Sequence, residues 1–336
     1  MTKLSCWSFH SVKGGVGKST LATLTAVQLA NDHPDDTVWL VDMDLTGTSL
    51  ADVLPLRAPR CARSADGEAL DLEHPAESFL DPPDIESALS DRDEDESGRP
   101  IGVPFLNDYL LYATEDWDEE HDVNIDALAW QPHGQSSPSN LRVLPSSALP
   151  RDLDRILPVI FDEEHAGFLE NRLEYLLSAM LGERRTTHVV FDVPPTIPGL
   201  SRAVLSLALR LGRGTKTPLS LDGFFPDLLE EAALSWCAVM IATTDLQDIR
   251  ALTRWLDRVK PDEEAVFRVL INRTQRTDEG ERQQWLEELT AGGLLNRLLS
   301  RTQWLSASPA FELFRRSEFP HPHPRIADLL RKLEGT

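Results

Sequence analysis

Cysteine is scarce in this chain. The three present, Cys6, Cys61 and Cys237, stand far apart and form no C-x-x-C pair, so a metal or iron–sulfur scaffold has no support. Cys6 and Cys237 fall in apolar runs and read as small buried hydrophobes. Long hydrophobic runs are missing too. No stretch of about eighteen apolar residues exists, which excludes a transmembrane helix on sequence grounds. The N-terminus enters an apolar strand at once and leaves no room for a signal peptide. Together these features point to a cytoplasmic protein. Positive charge is the third shortage: 33 Lys and Arg stand against 55 Asp and Glu, a net charge of −22. A broad nucleic-acid-binding face needs clustered Lys and Arg and is therefore disfavoured. The deficit is local. Residues 61–140 hold 21 acidic residues against three Arg, a net of −18, which leaves the rest of the chain at only −4.

What is present is a core-forming chain of 336 residues, 41% hydrophobic, long enough for one large α/β domain or two smaller ones. It is organised around Ser11–Thr20, SVKGGVGKST. A short apolar strand (LSCWSF) precedes this stretch, and residues 18–32 follow with helical character. Strand, glycine-rich turn and helix is the setting in which backbone N–H groups and a helix N-terminus hold a phosphate. Gly14, Gly15 and Gly17 let the backbone approach where side chains would block it. Lys18 would reach the β- and γ-phosphates, and the Ser19 hydroxyl would ligate Mg²⁺. The usual pattern asks for Gly at position 12. Val12 stands there instead, and Lys13 opens the loop.

Two further strand ends carry acid. Residues 37–42 (TVWLVD) should be a second strand delivering Asp42 and Asp44, and THVVFDVPPTIPG (187–199) a later one delivering Asp192. Ligand-binding groups gather at the carboxyl ends of parallel strands, which places all three near the loop. A phosphoryl-transfer site needs a carboxylate to position the nucleophile and further acid for a hydrated metal.

Taken in order, these motifs resemble the ParA/MinD-like P-loop ATPases. The run K-G-G-V-G-K-[ST] at 13–20 is similar to that family's deviant Walker A, VDMDLTGTSL at 41–50 to its Walker A′, and D-V-P-P at 192–195 to its Walker B. The resemblance covers roughly 1–50, 139–200 and 237–275. It implies a doubly wound α/β fold: a mainly parallel sheet with helices on both faces, carrying an acidic insertion. One domain would span 1–336, with the insertion at 51–138 and a C-terminal extension at 303–336. It implies ATP and Mg²⁺ as cofactors, with Gly14, Gly15, Val16, Gly17, Lys18, Ser19 and Thr20 cradling phosphates and Asn272 reading adenine. Asp44 would position the attacking water. Ser19 would hold Mg²⁺ directly, and Asp42 and Asp192 through water. Asp192–Gly199 would be the switch. Lys13 would cross a homodimer interface to the partner's phosphates while Lys18 serves its own. Leu45-Thr46 departs from the family pattern after the second Asp.

The implied function is a slow, partner-stimulated ATPase cycling between monomer and ATP-sandwich dimer, with an unidentified protein partner. The alternative is a non-hydrolysing, nucleotide-gated scaffold presenting the acidic insertion. Smaller expectations follow along the chain. DYLLYAT (108–114) has strand-like character, Trp117 and Trp130 could pack, and 84–98 reads as a solvated loop. The helical stretch 151–182 should break near Pro158 or Gly167. Phe224-Phe225 reads as core, and helices are expected near 278–302 and 310–317. Arg250, Arg254, Arg258 and Lys260 read as a solvated face. Ile326, Leu329, Leu330 and Leu333 form the apolar stripe of a final helix, which should dock on its own domain rather than on a membrane.

Overall fold

The computed structural model describes residues 2–47, 49–61, 70–86, 88, 102–111, 123–134, 137–181, 186–195, 197–214, 227–256, 260, 264–272, 302–304 and 318–334. Ten strands fall in these residues: β1 (Lys3–Ser11), β2 (Thr37–Asp42), β3 (Leu56–Arg60), β4 (Ser78–Leu80), β5 (Gln131–Pro132), β6 (Leu141–Leu144), β7 (Thr186–Asp192), β8 (Ala233–Thr243), β9 (Phe267–Asn272) and β10 (Thr302–Trp304). Seven make one sheet in the order β10-β9-β8-β1-β7-β2-β6, with every pairing parallel. Strands covered on both faces need near-continuous apolar sequence. TVWLVD and THVVFD supply it, with Val38, Leu40, Val189 and Val190 fully buried.

The chain winds first to one side of β1 and then to the other, so the order reverses beside β1 and opens a crevice at the strands' carboxyl ends. Two apolar cores flank the sheet. On one face Leu21, Leu24 and Val27 of helix α1 (Lys18–Asp32) pack with Ile326, Leu329, Leu330 and Leu333 of the helix Pro324–Glu334. That last helix docks on its own chain, held further by Arg268 Nε donating to the Leu333 carbonyl at 2.9 Å. On the other face lie the helices Pro150–Phe161, Ala166–Met180, Pro198–Gly212 and Leu246–Leu256.

The doubly wound, parallel α/β class expected from sequence is the class observed. Local readings fared unevenly. The stretch 151–182 breaks near Gly167, one of the two expected places, and not near Pro158. Pro158 rides inside the first helix, and the break falls at a 3-10 turn, Glu163–His165. Of the expected strand at 108–114, residues 108–111 fall instead in a helix, Leu106–Leu111, and the rest lies outside the described residues. Asp108 caps it by accepting the Phe105 N–H at 2.9 Å, and Asn107 exchanges hydrogen bonds with the Ser147 backbone. Much of 51–138 is built: β4-β3-β5 form a small antiparallel sheet, and Trp130 is buried with Nε1 donating to the Pro104 carbonyl at 2.8 Å. Of the solvated loop expected at 84–98, residues 84–86 and 88 are instead helical, with Ile85 buried against the α1 core, and the rest lies outside the described residues. So do Trp117, Arg258, Phe224-Phe225 and the helices expected near 278–302 and 310–317, Thr302 apart.

One side chain fixes the turn between α1 and β2. Asn140 Nδ2 lies 3.1, 2.9 and 3.0 Å from the carbonyl oxygens of Ala30, His33 and Asp36. Removing a donor that serves several backbone acceptors costs on the order of 1–3 kcal/mol. Asn140→Ala should lower the unfolding free energy by that amount, read in urea titration as a lower midpoint with the slope of the transition unchanged.

Candidate functional site

The loop between β1 and α1 turns on glycine. Gly15 and Gly17 adopt positive φ, 76° and 91°, a conformation costly for any residue with a Cβ. Gly17 is also crowded: a Cβ there would meet Asn272 Nδ2 at 2.6 Å. That amide donates to the Val16 carbonyl at 2.8 Å, so Asn272, at the end of β9, braces the loop from the next strand but one. Gly14 and Gly15 are exposed, Val16 is buried, and Ser19 and Thr20 are half-buried on the first turn of α1.

Strand register sets the acids. Asp42 and Asp192 are Cα partners across β2 and β7, and Asp192 also faces Phe9 of β1. Asp192 therefore lies at the crevice beside the loop. Lys18, buried, ion-pairs with Asp192 and lies 3.4 Å from Asp44 Oδ2. The Ser19 hydroxyl lies near enough to Asp192 to favour its charged form. Asp42 is fully buried, and four donors meet its carboxylate, three of them at one oxygen. Its carboxylate accepts the backbone N–H groups of Asp44 (3.1 Å), Leu50 (2.9 Å) and Ser146 (3.3 Å), and the Ser146 hydroxyl at 2.8 Å. It thus shapes the segment that carries Asp44.

Three carboxylates share one ammonium here, and the titration behaviour follows. Burial alone would discharge Lys18, but Asp192, Asp44 and Asp42 outweigh it and hold its pKa above the usual lysine value. Burial pushes Asp192 up, opposed by Lys18. Burial and the neighbouring Asp192 push Asp42 up to about 7, against the donors from Leu50 and Ser146. Behind them His10, buried and beside Lys18, is held down at about 3 and stays neutral. The excess of hard oxygen donors over cations, with the Ser19 hydroxyl among them, is the donor chemistry a hydrated Mg²⁺ takes.

Lys13 goes elsewhere. Its ammonium pairs with Asp248 at 2.9 Å and reaches Gln247 Oε1 at 3.4 Å, both on the helix that follows β8. Partial burial would raise Asp248, but hydrogen bonds from Thr243 and Lys13 prevail and hold it below the usual carboxylate range. The sequence reading missed Asp248 and Ser146. The first had a signal, since Asp248 lies at the third position of the helix that the T-T-D turn opens. The second had only a Pro-Ser at a strand end.

Comparisons with known proteins bear on the N-terminal segment and on the fold. Residues 6–77 match the ParA family model, described as NUBPL iron-transfer P-loop NTPase. The ATPase GET3 of Scheffersomyces stipitis is 41% identical over 61 residues, 18% of this chain and 17% of that protein, so the match spans under a fifth of its length. An ATP complex of a variant McdA from Cyanothece superposes with a TM-score of 0.53 at 14% identity, covering 100% of this chain and 95% of that one. Apo McdA gives 0.50 at 14% identity over 99% and 96%. At that identity the likeness to McdA is one of fold. The chain resembles the ParA/MinD-like P-loop ATPases, in sequence over 6–77 and in the architecture of its sheet.

A pH effect follows from Asp42. Its folded pKa of about 7 exceeds the unfolded value of about 3.9, so the folded chain binds a proton that the unfolded chain has released. This contribution is complete below the unfolded pKa and is lost as pH rises through the folded one. Urea midpoints of the nucleotide-free protein should therefore fall as pH rises from about 4 to 7. Asp42→Asn should flatten that dependence.

Proposed function

We propose that this chain is an ATP-hydrolysing dimerisation switch of ParA/MinD type, acting in the cytoplasm on a protein partner that stimulates its slow turnover. The observation that carries the reading is the deviant P-loop folded against Asp44 and Asp192, with Lys18 held between the two carboxylates. The ATP complex of the McdA variant, which has the same fold, supports nucleotide binding at this crevice.

In this reading phosphates lie on the backbone of Gly14–Thr20, and Lys18 leaves Asp192 to meet them. Ser19 would hold Mg²⁺ directly, and Asp42 and Asp192 through water; the ion would supply charge neutralisation on the phosphoryl oxygens. Asp44 orients the attacking water. Asp42 also acts at one remove: it accepts the Asp44 N–H and fixes where that carboxylate points. Asn272 keeps the loop's curvature from one side and offers its amide to the adenine on the other.

The segment Asp192–Gly199 is the switch. At its end Gly199 lies where a Cβ would sit 2.5 Å from the Ile160 carbonyl oxygen and 2.7 Å from that of Asp162, so a displacement of the switch is passed to the end of the helix Pro150–Phe161. Dimerisation brings Lys13 to the partner's phosphates, a cation supplied in trans where charge develops. To do so Lys13 must leave Asp248.

Phosphate release and size-exclusion chromatography test the scheme together. Asp44→Ala should form an ATP-dependent dimer that does not turn over. Lys13→Ala should bind ATP but lose dimer-coupled hydrolysis, by on the order of 10³-fold, the scale of a charge supplied in trans. Full-rate hydrolysis by Lys13→Ala would sink its role. ATP binding by the wild type with neither dimer nor phosphate would leave a nucleotide-gated scaffold. Asp248→Asn removes the contact Lys13 must give up. Lys13 is 41% exposed, so the gain is modest, roughly two- to fivefold tighter ATP-dependent dimerisation. Sedimentation at graded protein concentration measures it.

A further inference from the structure

At the opposite end of the sheet, away from the P-loop, a second cluster of ligating side chains has no part in the chemistry above. His33 follows the last residue of α1 and caps it, its backbone N–H donating to the Leu29 carbonyl at 2.9 Å. Asp36 lies in the next turn, where its N–H donates to the His33 carbonyl at 3.1 Å. His188 sits near the start of β7, in register with Val38 of β2. Its Nε2 lies 3.3 Å from Asp36 Oδ2, and His33 Nδ1 lies 3.8 Å from the same oxygen. The two imidazoles stack with centroids 4.8 Å apart. One ligand atom from each of the three residues falls within 4.8 Å of the others, the one such group of His, Cys, Asp and Glu among the described residues.

We propose that His33, Asp36 and His188 bind a divalent ion of zinc type through two imidazole nitrogens and one carboxylate oxygen, leaving a fourth position for water. The donor set makes the choice of ion. Two nitrogens and one oxygen suit Zn²⁺ and its neighbours, whereas Mg²⁺ takes oxygen and demands near-octahedral geometry. The scaffold is preorganised from three directions. His188 is fixed in a central strand and only 8% exposed, the helix end places His33, and Asn140 clamps the carbonyls on either side of the turn that carries Asp36. His33 is 46% exposed and free to turn. Tetrahedral ligation with metal–ligand distances of about 2.0–2.2 Å puts donor atoms roughly 3.3 Å apart. The spacing of 4.8 Å therefore closes by rotation of His33 without moving a strand.

The ion would tie the end of α1 to the starts of β2 and β7. Those 15 residues of helix put it about 22 Å from Lys18 at the other end of α1. Its occupancy is thus separable from that of the nucleotide site, and the proposal does not rest on the ATPase reading.

The test is calorimetric titration of Zn²⁺ into chelator-stripped full-length protein, with excess Mg²⁺ present to keep oxygen sites silent. Co²⁺ in place of Zn²⁺ reports geometry by its visible absorption. The wild type should bind one equivalent of zinc and give the intense bands of tetrahedral cobalt. His33→Ala and Asp36→Asn should each weaken zinc at least tenfold and abolish those bands, while Asp44→Ala should leave both unchanged. His33 is at an exposed helix end, so His33→Ala keeps its fold and the comparison stays decisive. Absence of saturable zinc binding, or binding that His33→Ala and Asp36→Asn leave intact, would overturn the site.

Discussion

The structure depends on one buried ammonium facing three carboxylates. Lys18 is the first residue of α1 and enters the crevice where β1, β2 and β7 end, and Asp42, Asp44 and Asp192 are all within its field. A single cation cannot neutralise three anions in a desolvated space, and burial first, then the neighbouring carboxylates, raise the pKa values of Asp42 and Asp192. Taking either partner out of a buried pair leaves an unpaired charge, which costs several kcal/mol. The arrangement is therefore stable only while cations are supplied, first by Lys18 and then by whatever replaces it when that ammonium turns toward phosphate. In the proposed function a hydrated divalent ion arriving with a nucleotide would meet that need, because it would bring two positive charges to the carboxylates when Lys18 turns to phosphate.

Asp42 shows why so much scaffold is built around this point. A carboxylate accepting three backbone N–H groups and a hydroxyl is a bracket, not a free acid. It joins the end of β2, the start of the helix Leu50–Val53 and the end of β6, and so determines where Asp44 stands. The burial that makes those hydrogen bonds strong also lifts its pKa. Asn272 does the corresponding work on the other flank, holding the Val16 carbonyl from the end of β9.

Much of this was legible in the sequence, and the boundary of legibility is physical. The P-loop can be read because its chemistry is local, set by backbone and glycine over eight residues. Asp42, Asp44 and Asp192 can be read because strand ends in a parallel sheet share one edge. Contacts between distant segments cannot be read that way: Lys13 and Asp248 meet across 235 positions of sequence. The stretch Asp108–Leu111 misled because a short apolar run fits strand or helix equally well, and a single capping carboxylate decided it. The acidic insertion misled in part. Only 84–98 reads as a solvated loop and Trp130 as able to pack; Trp130 is buried, and nothing in the composition marks Leu56, Ala58 and Phe105, which bury apolar surface against the same core as α1.

The two loop lysines occupy comparable positions in the economy of charge. Each is held by an acid of its own chain: Lys18 by Asp192 within the crevice, Lys13 by Asp248 at its rim. A ligand shifts such an equilibrium only by the difference in its affinity for the two arrangements. Lys18 leaves a deep, desolvated pair, so its release needs a strong competitor such as a polyphosphate with its metal. Lys13 leaves a half-exposed pair, screened by solvent, so a weaker gain suffices. The order of events follows from burial alone. In the proposed dimer cycle nucleotide would first have to win Lys18 within one subunit, and only then would the smaller term at Lys13 decide whether a second subunit is engaged. A loop with its lysines exchanged in depth would lose that order, since the partner contact would then cost more to make than the nucleotide contact.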